Sequence, residues 1–202
     1  MELSFPTDAR SRILEAGRVL FAQQGYSRVT VRAITTSAGV NQAMISYYFG
    51  GKEALYGEVL THEASCILSL IDHENLSSLP PRERLKFFAE SISSLHGERP
   101  WIANLVHQEM VWPTRFLDET LVPAIGKLSS FLRETIREGA EKGDFRPGLD
   151  CPLAVYALIA MVNYRNIFRP LVSRIFPMED DKTNKMDELL DIFFHGVDAR
   201  DN

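Results

Sequence analysis

Apolar residues recur along most of the chain every three or four positions, which is the spacing of amphipathic helices. The first such segment runs from Thr7 to Gln24, with Thr7 predicted as its N-cap and Gly25 as its stop. No stretch alternates apolar and polar residues as a half-buried strand does, and the sequence contains no internal repeat. The pattern predicts an all-α fold of about nine helices.

Two short helical segments follow the first one. Thr30 is the candidate cap of a segment that ends at Gly39, and Asn41 is the candidate cap of the next segment, which ends at Phe49. Two short helices joined by a tight turn are typical of a helix-turn-helix motif, because a glycine in that turn accepts the left-handed backbone it needs. Residues 30–49 therefore predict such a motif.

Longer helical patterns occupy the rest of the chain. One runs from Lys52 to Ile71 and predicts a connecting strut, and Pro152 begins an apolar helix that extends to Phe168. Pro170 and Pro177 are predicted to bound a polar loop, since proline disrupts a helix interior. The last amphipathic helix spans Met186 to Val197.

Charge is distributed unevenly along the chain. The 202 residues carry 22 basic and 27 acidic side chains, a formal net charge of -5. Residues 1–60 contain six of the bases and five of the acids, so this part has a net charge of +1 and the remainder a net charge of -6. The asymmetry favours a small, neutral-to-basic module joined to an acidic body.

Several functional classes are disfavoured by the sequence. The longest apolar run, Leu153 to Val162, is too short to span a membrane, and the N-terminus lacks the pattern of an export signal, so we expect a cytoplasmic protein. Cys66 and Cys151 do not suggest a disulfide framework. The five histidines show no zinc-binding spacing, and no nucleophile stands beside a base and an orienting group, so we expect no metal, no cofactor and no catalysis.

Six short segments between Arg12 and about Val59 stand in the order and spacing of a known family. They are Ile13-Leu14-Glu15-Ala16, Leu20-Phe21, Gly25-Tyr26, Thr30-Val31-Arg32-Ala33-Ile34, Ala38-Gly39-Val40 and Tyr47-Tyr48-Phe49-Gly50-Gly51-Lys52-Glu53-Ala54-Leu55-Tyr56. In these residues the chain resembles the TetR family of bacterial transcriptional regulators. The resemblance implies a three-helix DNA-binding domain at residues 7–53 and a helical ligand-binding and dimerisation domain at 54–202.

The resemblance also implies roles in DNA binding. Arg32 and Gln42 match the positions that read bases, because guanidinium and amide groups make paired hydrogen bonds to purine edges in the major groove. Ala43 would allow close approach and touch a thymine methyl. Four residues are expected to bind backbone phosphates: Thr30, Tyr47, Tyr48 and Lys52. Met44 and Ser46 are expected to lie near the exposed start of the second motif helix.

Two residues depart from the usual pattern of the family. Thr35 stands where a small alanine is usual at the helix crossing, and Ser46 stands where an aromatic residue is common. Both departures make it harder to transfer the base preference of the family to this chain.

The acidic body offers candidates for two further sites. An effector pocket is predicted among aromatic and polar residues, with ordinary core packing as the alternative; the candidates are Trp101, His107, Met110, Tyr156 and Tyr164. A dimer interface is predicted on the broad apolar face of the last helix, with burial within one subunit as the alternative; the candidates are Leu189, Leu190, Phe193 and Phe194.

The sequence thus favours a repressor that binds a palindromic double-stranded DNA operator as a homodimer and is released by a small molecule. Two other hypotheses stay open. One is a DNA-binding accessory protein that needs no effector and recruits a protein partner. The other is a small-molecule-binding or catalytic helical protein whose reading head is vestigial.

Overall fold

The computed structural model describes residues 8–73, 76–175 and 185–198. These residues form nine α-helices, a 3-10 turn at Leu76–Ser78 and a π-helical turn at Leu117–Leu121, and they contain no strand. The predicted all-α fold is confirmed. The helices are α1 (Ala9–Gln24), α2 (Val31–Ala38), α3 (Ala43–Phe49), α4 (Lys52–Ser69), α5 (Pro81–Glu98), α6 (Trp101–Val111), α7 (Val122–Lys142), α8 (Cys151–Ile175) and α9 (Lys185–Val197).

Local side-chain chemistry sets the ends of the first helices. Asp8 caps α1 by accepting a 2.8 Å hydrogen bond from the Ser11 N–H, whereas Thr7, the predicted cap, lies outside the described residues. Thr30 caps α2 as predicted, accepting from the Ala33 N–H at 3.1 Å. Gly39 ends α2 in the left-handed region, with φ 63° and ψ 42°, so the predicted helix-turn-helix geometry is confirmed.

One prediction based on the positions of proline residues is wrong. No loop begins at Pro170, because α8 continues as a helix to Ile175. Pro177 lies outside the described residues. A proline inside a helix removes one backbone hydrogen bond, and the apolar pattern of α8 extends beyond that position.

The chain folds into two compact units. The first unit comprises Met1–Ser65 and Trp101–Pro123, and the second comprises Cys66–Pro100 and Ala124–Asn202. The first unit therefore extends beyond residue 53, where the family resemblance places the end of the DNA-binding domain. The reason is its core, in which Leu55 and Tyr56 of α4 and Leu105 of α6 are buried with Phe21 of α1.

In the second unit, α5, α8 and α9 pack on one another. Phe145 in the connection between α7 and α8 is completely buried, and a Cβ atom at Gly139 would lie 2.3 Å from its ring. The Arg146 N–H donates to the Val197 carbonyl at 2.8 Å, so this connection is tied to the end of α9. Arg84 of α5 holds Glu138 of α7 with hydrogen bonds of 2.5 and 3.1 Å.

Among the helices described, none has both the length and the apolar character required to cross a membrane.

Candidate nucleic-acid interface

Helix α3 presents a polar and aromatic outer face. Its inner side is fixed by Ile45, which is 1% exposed, and by the half-buried Met44, which packs against the core of the first unit. The N-cap of α3 is Gln42, which makes no side-chain capping hydrogen bond, so the predicted cap, Asn41, stands one residue too early; its side chain accepts a 2.9 Å hydrogen bond from the Ala43 N–H. The side chains left exposed are Gln42, Ala43, Ser46, Tyr47 and Tyr48.

Helix α2 places two further predicted residues at its first turn. Thr30 and Arg32 are both exposed, on either side of the start of the helix. Thr35, the departure from the family pattern, is 2% exposed, and its hydroxyl donates to the carbonyls of Val31 and Arg32. The extra hydroxyl is therefore satisfied within α2, so the helix crossing tolerates it.

Tyr47 and Tyr48 differ in exposure. The Tyr47 side chain is 79% exposed, while Tyr48 is 37% exposed and packs edge-on against the rings of both Tyr47 and Phe49. Most of the Tyr47 side chain is thus accessible to a ligand. Tyr48 is held by its neighbours and offers mainly its hydroxyl end.

Lys52 is the first residue of α4, and its ammonium group points back to the loop between α1 and α2. Nζ donates to the carbonyls of Tyr26 and Val29 at 2.9 and 3.0 Å and lies 4.1 Å from the centre of the Tyr26 ring. Burial lowers the pKa of Lys52 below its ordinary value. Two of its three N–H donors are committed to protein carbonyls, so one remains for a phosphate.

A buried polar contact joins α4 to α6, and sequence reasoning missed it. The Tyr56 hydroxyl donates to Glu109 at 2.7 Å, and Glu109 also accepts from the N–H and hydroxyl of Thr114. Burial, followed by the bond to Glu109, raises the pKa of Tyr56 far above its ordinary value, so this phenol stays a donor. A glutamate within the apolar stretch Trp101–Val111 was the only available signal.

A second missed contact lies one residue further along α4. A Cβ atom at Gly57 would stand 2.4 Å from Cε1 of Phe116. The aromatic ring therefore lies directly on the backbone of α4, an approach that only glycine permits. Together with Glu109, this contact explains why residues 101–123 belong to the same unit as the helix-turn-helix motif.

Comparison with family models decides the family. Residues 13–59 match the model described as bacterial regulatory proteins, tetR family, and residues 81–197 match one described as a tetracyclin repressor-like C-terminal domain. The second match spans more than half of the chain. The chain belongs to the TetR family.

Relatives support the same assignment for this TetR-family protein. The transcriptional repressor DhaR of Mycobacterium sp. (strain GP1) is 30% identical over 166 residues, which cover 76% of this chain and 78% of that protein. The transcriptional repressor NicS of Pseudomonas putida is 27% identical over 157 residues, which cover 77% and 74%. These relatives are regulators rather than enzymes, and this TetR-family chain is a DNA-binding transcriptional regulator.

Solved structures share the fold. The TetR-family regulator PfmR of Thermus thermophilus aligns with a TM-score of 0.73 at 23% identity, covering 91% of this chain and 97% of that one. At this identity the likeness shows the TetR-family fold alone.

The five predicted effector residues of this TetR-family chain are divided between the two units. Trp101, His107 and Met110 stand on α6 in the first unit, where Trp101 packs against the core and lies 5.5 Å below the Arg18 guanidinium. Tyr156 and Tyr164 stand on α8 in the second unit and are exposed. The Tyr156 side chain is 71% exposed.

The residues predicted to form the dimer interface are largely buried in the structure. Leu190, Phe193 and Phe194 are 2%, 5% and 5% exposed, so they are buried within the second unit, and Leu189 is half-buried. The apolar face of α9 therefore packs inside this TetR-family subunit, which is the alternative considered above. Among the described residues of the second unit, the exposed large apolar side chains are Ile192 of α9 and seven residues of α8. Those of α8 are Leu153, Tyr156, Tyr164, Phe168, Leu171, Val172 and Ile175.

Proposed function

We propose that this TetR-family regulator is a repressor that binds a near-palindromic DNA operator as a homodimer and leaves it when a small molecule binds. The observation that carries the proposal is the outer face of α3, where Gln42, Ala43, Ser46 and Tyr47 are all exposed. Apolar residues hold the inner side of α3 in place, so the outer residues are presented on a rigid element.

Each exposed residue suits a particular contact. The Gln42 amide and the Arg32 guanidinium each make paired hydrogen bonds to purine edges, and Ala43 lets the helix approach a thymine methyl. Thr30 and the two tyrosine hydroxyls suit backbone phosphates, which fix the register of the protein on the duplex. Met44 packs against the core of the first unit and holds α3 in place, rather than contacting the major groove.

The dimer proposed here uses the outer face of α8. Seven large apolar residues, spaced so that they share one side of a helix, are exposed along this 25-residue element. An exposed apolar helix face of this kind marks an interaction site, and a second copy of the chain covers it by two-fold symmetry. Such symmetry presents two recognition helices about 34–36 Å apart, one turn of DNA.

Effector release requires that the small molecule bind two conformations of the protein unequally. The helix that carries such a difference in our proposal is α4, because its residues belong to both units: Lys52 to Ser65 to the first, and Cys66 to Ser69 to the second. The relatives NicS and DhaR are named as repressors, which favours repression over activation. Operator binding would take place in the cytoplasm.

The test is selection of binding sites from a random duplex library with the full chain at about 150 mM salt, where non-specific phosphate binding is suppressed. We expect enrichment of an inverted repeat whose half-sites are about 10 base pairs apart. Enrichment of a single half-site would contradict the dimer, and no enrichment would contradict sequence-specific binding by the ligand-free protein. The enriched duplex then serves to screen small molecules for release.

A further inference from the structure

The loop between α1 and α2 is held at two points. The carbonyls of Tyr26 and Val29 both accept from Lys52, the Val29 side chain is 1% exposed, and the Tyr26 ring lies 4.9 Å from that of Tyr56. Ser27 and Arg28 lie between these anchors and are exposed. The backbone that carries Arg28 is therefore fixed before any ligand binds, which lowers the entropic cost of using this side chain in a contact.

The acids of residues 8–65 are all engaged. Asp8 caps α1, and the four glutamates form ion pairs with arginines. Glu15 and Glu63 pair with Arg18, while Glu58 pairs with Arg10. Glu53, at the first turn of α4, pairs with Arg115 at 2.9 Å. None of these carboxylates is therefore left to neutralise a cation near α2.

Three arginines of the same stretch have no carboxylate partner among the described residues: Arg12, Arg28 and Arg32. Arg12 is half-buried and its Nε atom is inaccessible to solvent. Arg28 and Arg32 are exposed and stand two residues before and two residues after Thr30, the cap of α2. The uncompensated positive charge at the surface of the motif is thus concentrated around the start of α2.

From these contacts we infer that Arg28 binds a phosphate of the DNA backbone, and that Lys52 is a positioning residue that holds the Arg28 loop. The inference rests on the DNA-binding function proposed above. In helix-turn-helix proteins the first motif helix crosses the DNA backbone while the second enters the major groove. An exposed guanidinium just before α2 therefore faces phosphates, whose oxygens it binds with two parallel hydrogen bonds.

The test is the salt dependence of DNA binding by Arg28→Gln, which removes the charge and keeps a side chain of similar length. Fluorescence anisotropy is measured with the full chain and a duplex of about 30 base pairs of arbitrary sequence, between about 50 and 200 mM NaCl. Each lost phosphate contact lowers the slope of log affinity against log salt by about 0.9, so a dimer with two Arg28 contacts loses about 1.8. Arg28→Lys keeps the charge and is expected to keep most of the slope.

The matched control is Lys127→Gln, which removes one charge from an exposed lysine of α7 that has no carboxylate partner in the described ranges. It is expected to keep the wild-type slope. The inference is overturned if Arg28→Gln keeps the wild-type slope, or if Lys127→Gln lowers it equally, since net charge alone would then explain the effect. Failure to enrich an operator would overturn only the operator proposal, because the arbitrary duplex still measures the Arg28 contact.

The positioning role of Lys52 is tested by a double-mutant cycle. If Lys52 acts through Arg28, the double variant with Lys52→Met and Arg28→Gln loses no more slope than the single variant that has the larger loss. If Lys52 contacts its own phosphate, the two losses add, and the positioning role is overturned. Unfolding of each variant is followed by circular dichroism, and only the slope of folded protein is compared.

Discussion

The hydroxyl of Tyr56 donates a 2.7 Å hydrogen bond to the carboxylate of Glu109, a residue 53 positions further along the chain and 1% exposed. No arginine or lysine forms an ion pair with this carboxylate among the described residues; Thr114 supplies its other hydrogen bonds. A buried carboxylate with only neutral donors depends on every one of them, because each lost donor leaves its charge less solvated. Tyr56 therefore fixes α6 to α4 within the unit that contains the helix-turn-helix motif.

Removing this donor should destabilise the protein. Tyr56→Phe is expected to lower the free energy of unfolding by about 1–3 kcal/mol, the cost of an unmet buried hydrogen bond. Urea unfolding at neutral pH measures the change. Tyr26→Phe is the control, because its ring packs in the same aromatic group but its hydroxyl makes no side-chain hydrogen bond in the part of the chain described. Equal losses for the two variants would contradict the role of the Tyr56 hydroxyl.

Gly57 should not tolerate a methyl group. Gly57→Ala places a Cβ atom 2.4 Å from the Phe116 ring, so we expect a loss of about 1–3 kcal/mol in the free energy of unfolding from overpacking. Gly126→Ala on α7, where a Cβ atom meets nothing within 4 Å, should gain about 0.5–1 kcal/mol from helix propensity. Adding Phe116→Leu to Gly57→Ala should recover part of the loss; a double variant as unstable as the sum of the singles would refute the clash.

Gln42 should determine base preference. Gln42→Ala is expected to lower discrimination at one or two operator positions by about 1–3 kcal/mol, the value of a paired base contact, with little change in salt dependence. Repeating the library selection with the variant measures this directly. Gln24→Ala, an exposed glutamine at the end of α1, is the control and should leave the selected sequence unchanged. An unchanged sequence for Gln42→Ala would mean that α3 does not read bases at this position.

The outer face of α8 should control the oligomeric state. Tyr156→Glu combined with Phe168→Glu introduces charges into the proposed dimer interface, and burying them unpaired is costly. We expect the molecular mass from light scattering to fall from that of a dimer to that of a monomer. Val122→Glu, at an exposed apolar position of α7, should remain dimeric. Persistence of the dimer in the double variant would place the interface elsewhere.

Glu138 should make stability depend on acidic pH. Hydrogen bonds from Arg84 and Lys142 lower the pKa of Glu138 from 4.5 to about 2. A carboxyl whose folded-state pKa is depressed stabilises the protein above the unfolded-state value, and this contribution is lost as the pH falls from about 4.5 toward 2. The difference in unfolding free energy between wild type and Glu138→Gln should therefore shrink over that range. An NMR titration of Glu138 with a midpoint near 4.5 would contradict the prediction.

The sequence predicted the helix-turn-helix motif because its determinants are local. Thr30 and Gly39 act on backbone atoms within four residues, so their roles can be predicted from the order of residue types. The two carbonyls bound by Lys52 could not be predicted in this way. They lie 23 and 26 residues away, and a carbonyl group carries no side-chain identity.

The apolar faces of α8 and α9 illustrate the same limit. Helical spacing showed that Phe193 and Phe194 share an apolar face, but it did not show which neighbour covers that face. In the structure, this face is buried within the second unit. Tyr156 belongs to an equally apolar helix and is exposed. Which face is covered depends on how α5, α8 and α9 pack, which periodicity in a single segment does not encode.

The contact of Phe145 with Gly139 has a consequence for sequence divergence. Because a Cβ atom at position 139 would overlap the buried ring, neither residue can change alone without a cost in packing. In TetR-family relatives that share this connection between α7 and α8, positions 139 and 145 should therefore covary, with a larger residue at the first accompanied by a smaller one at the second.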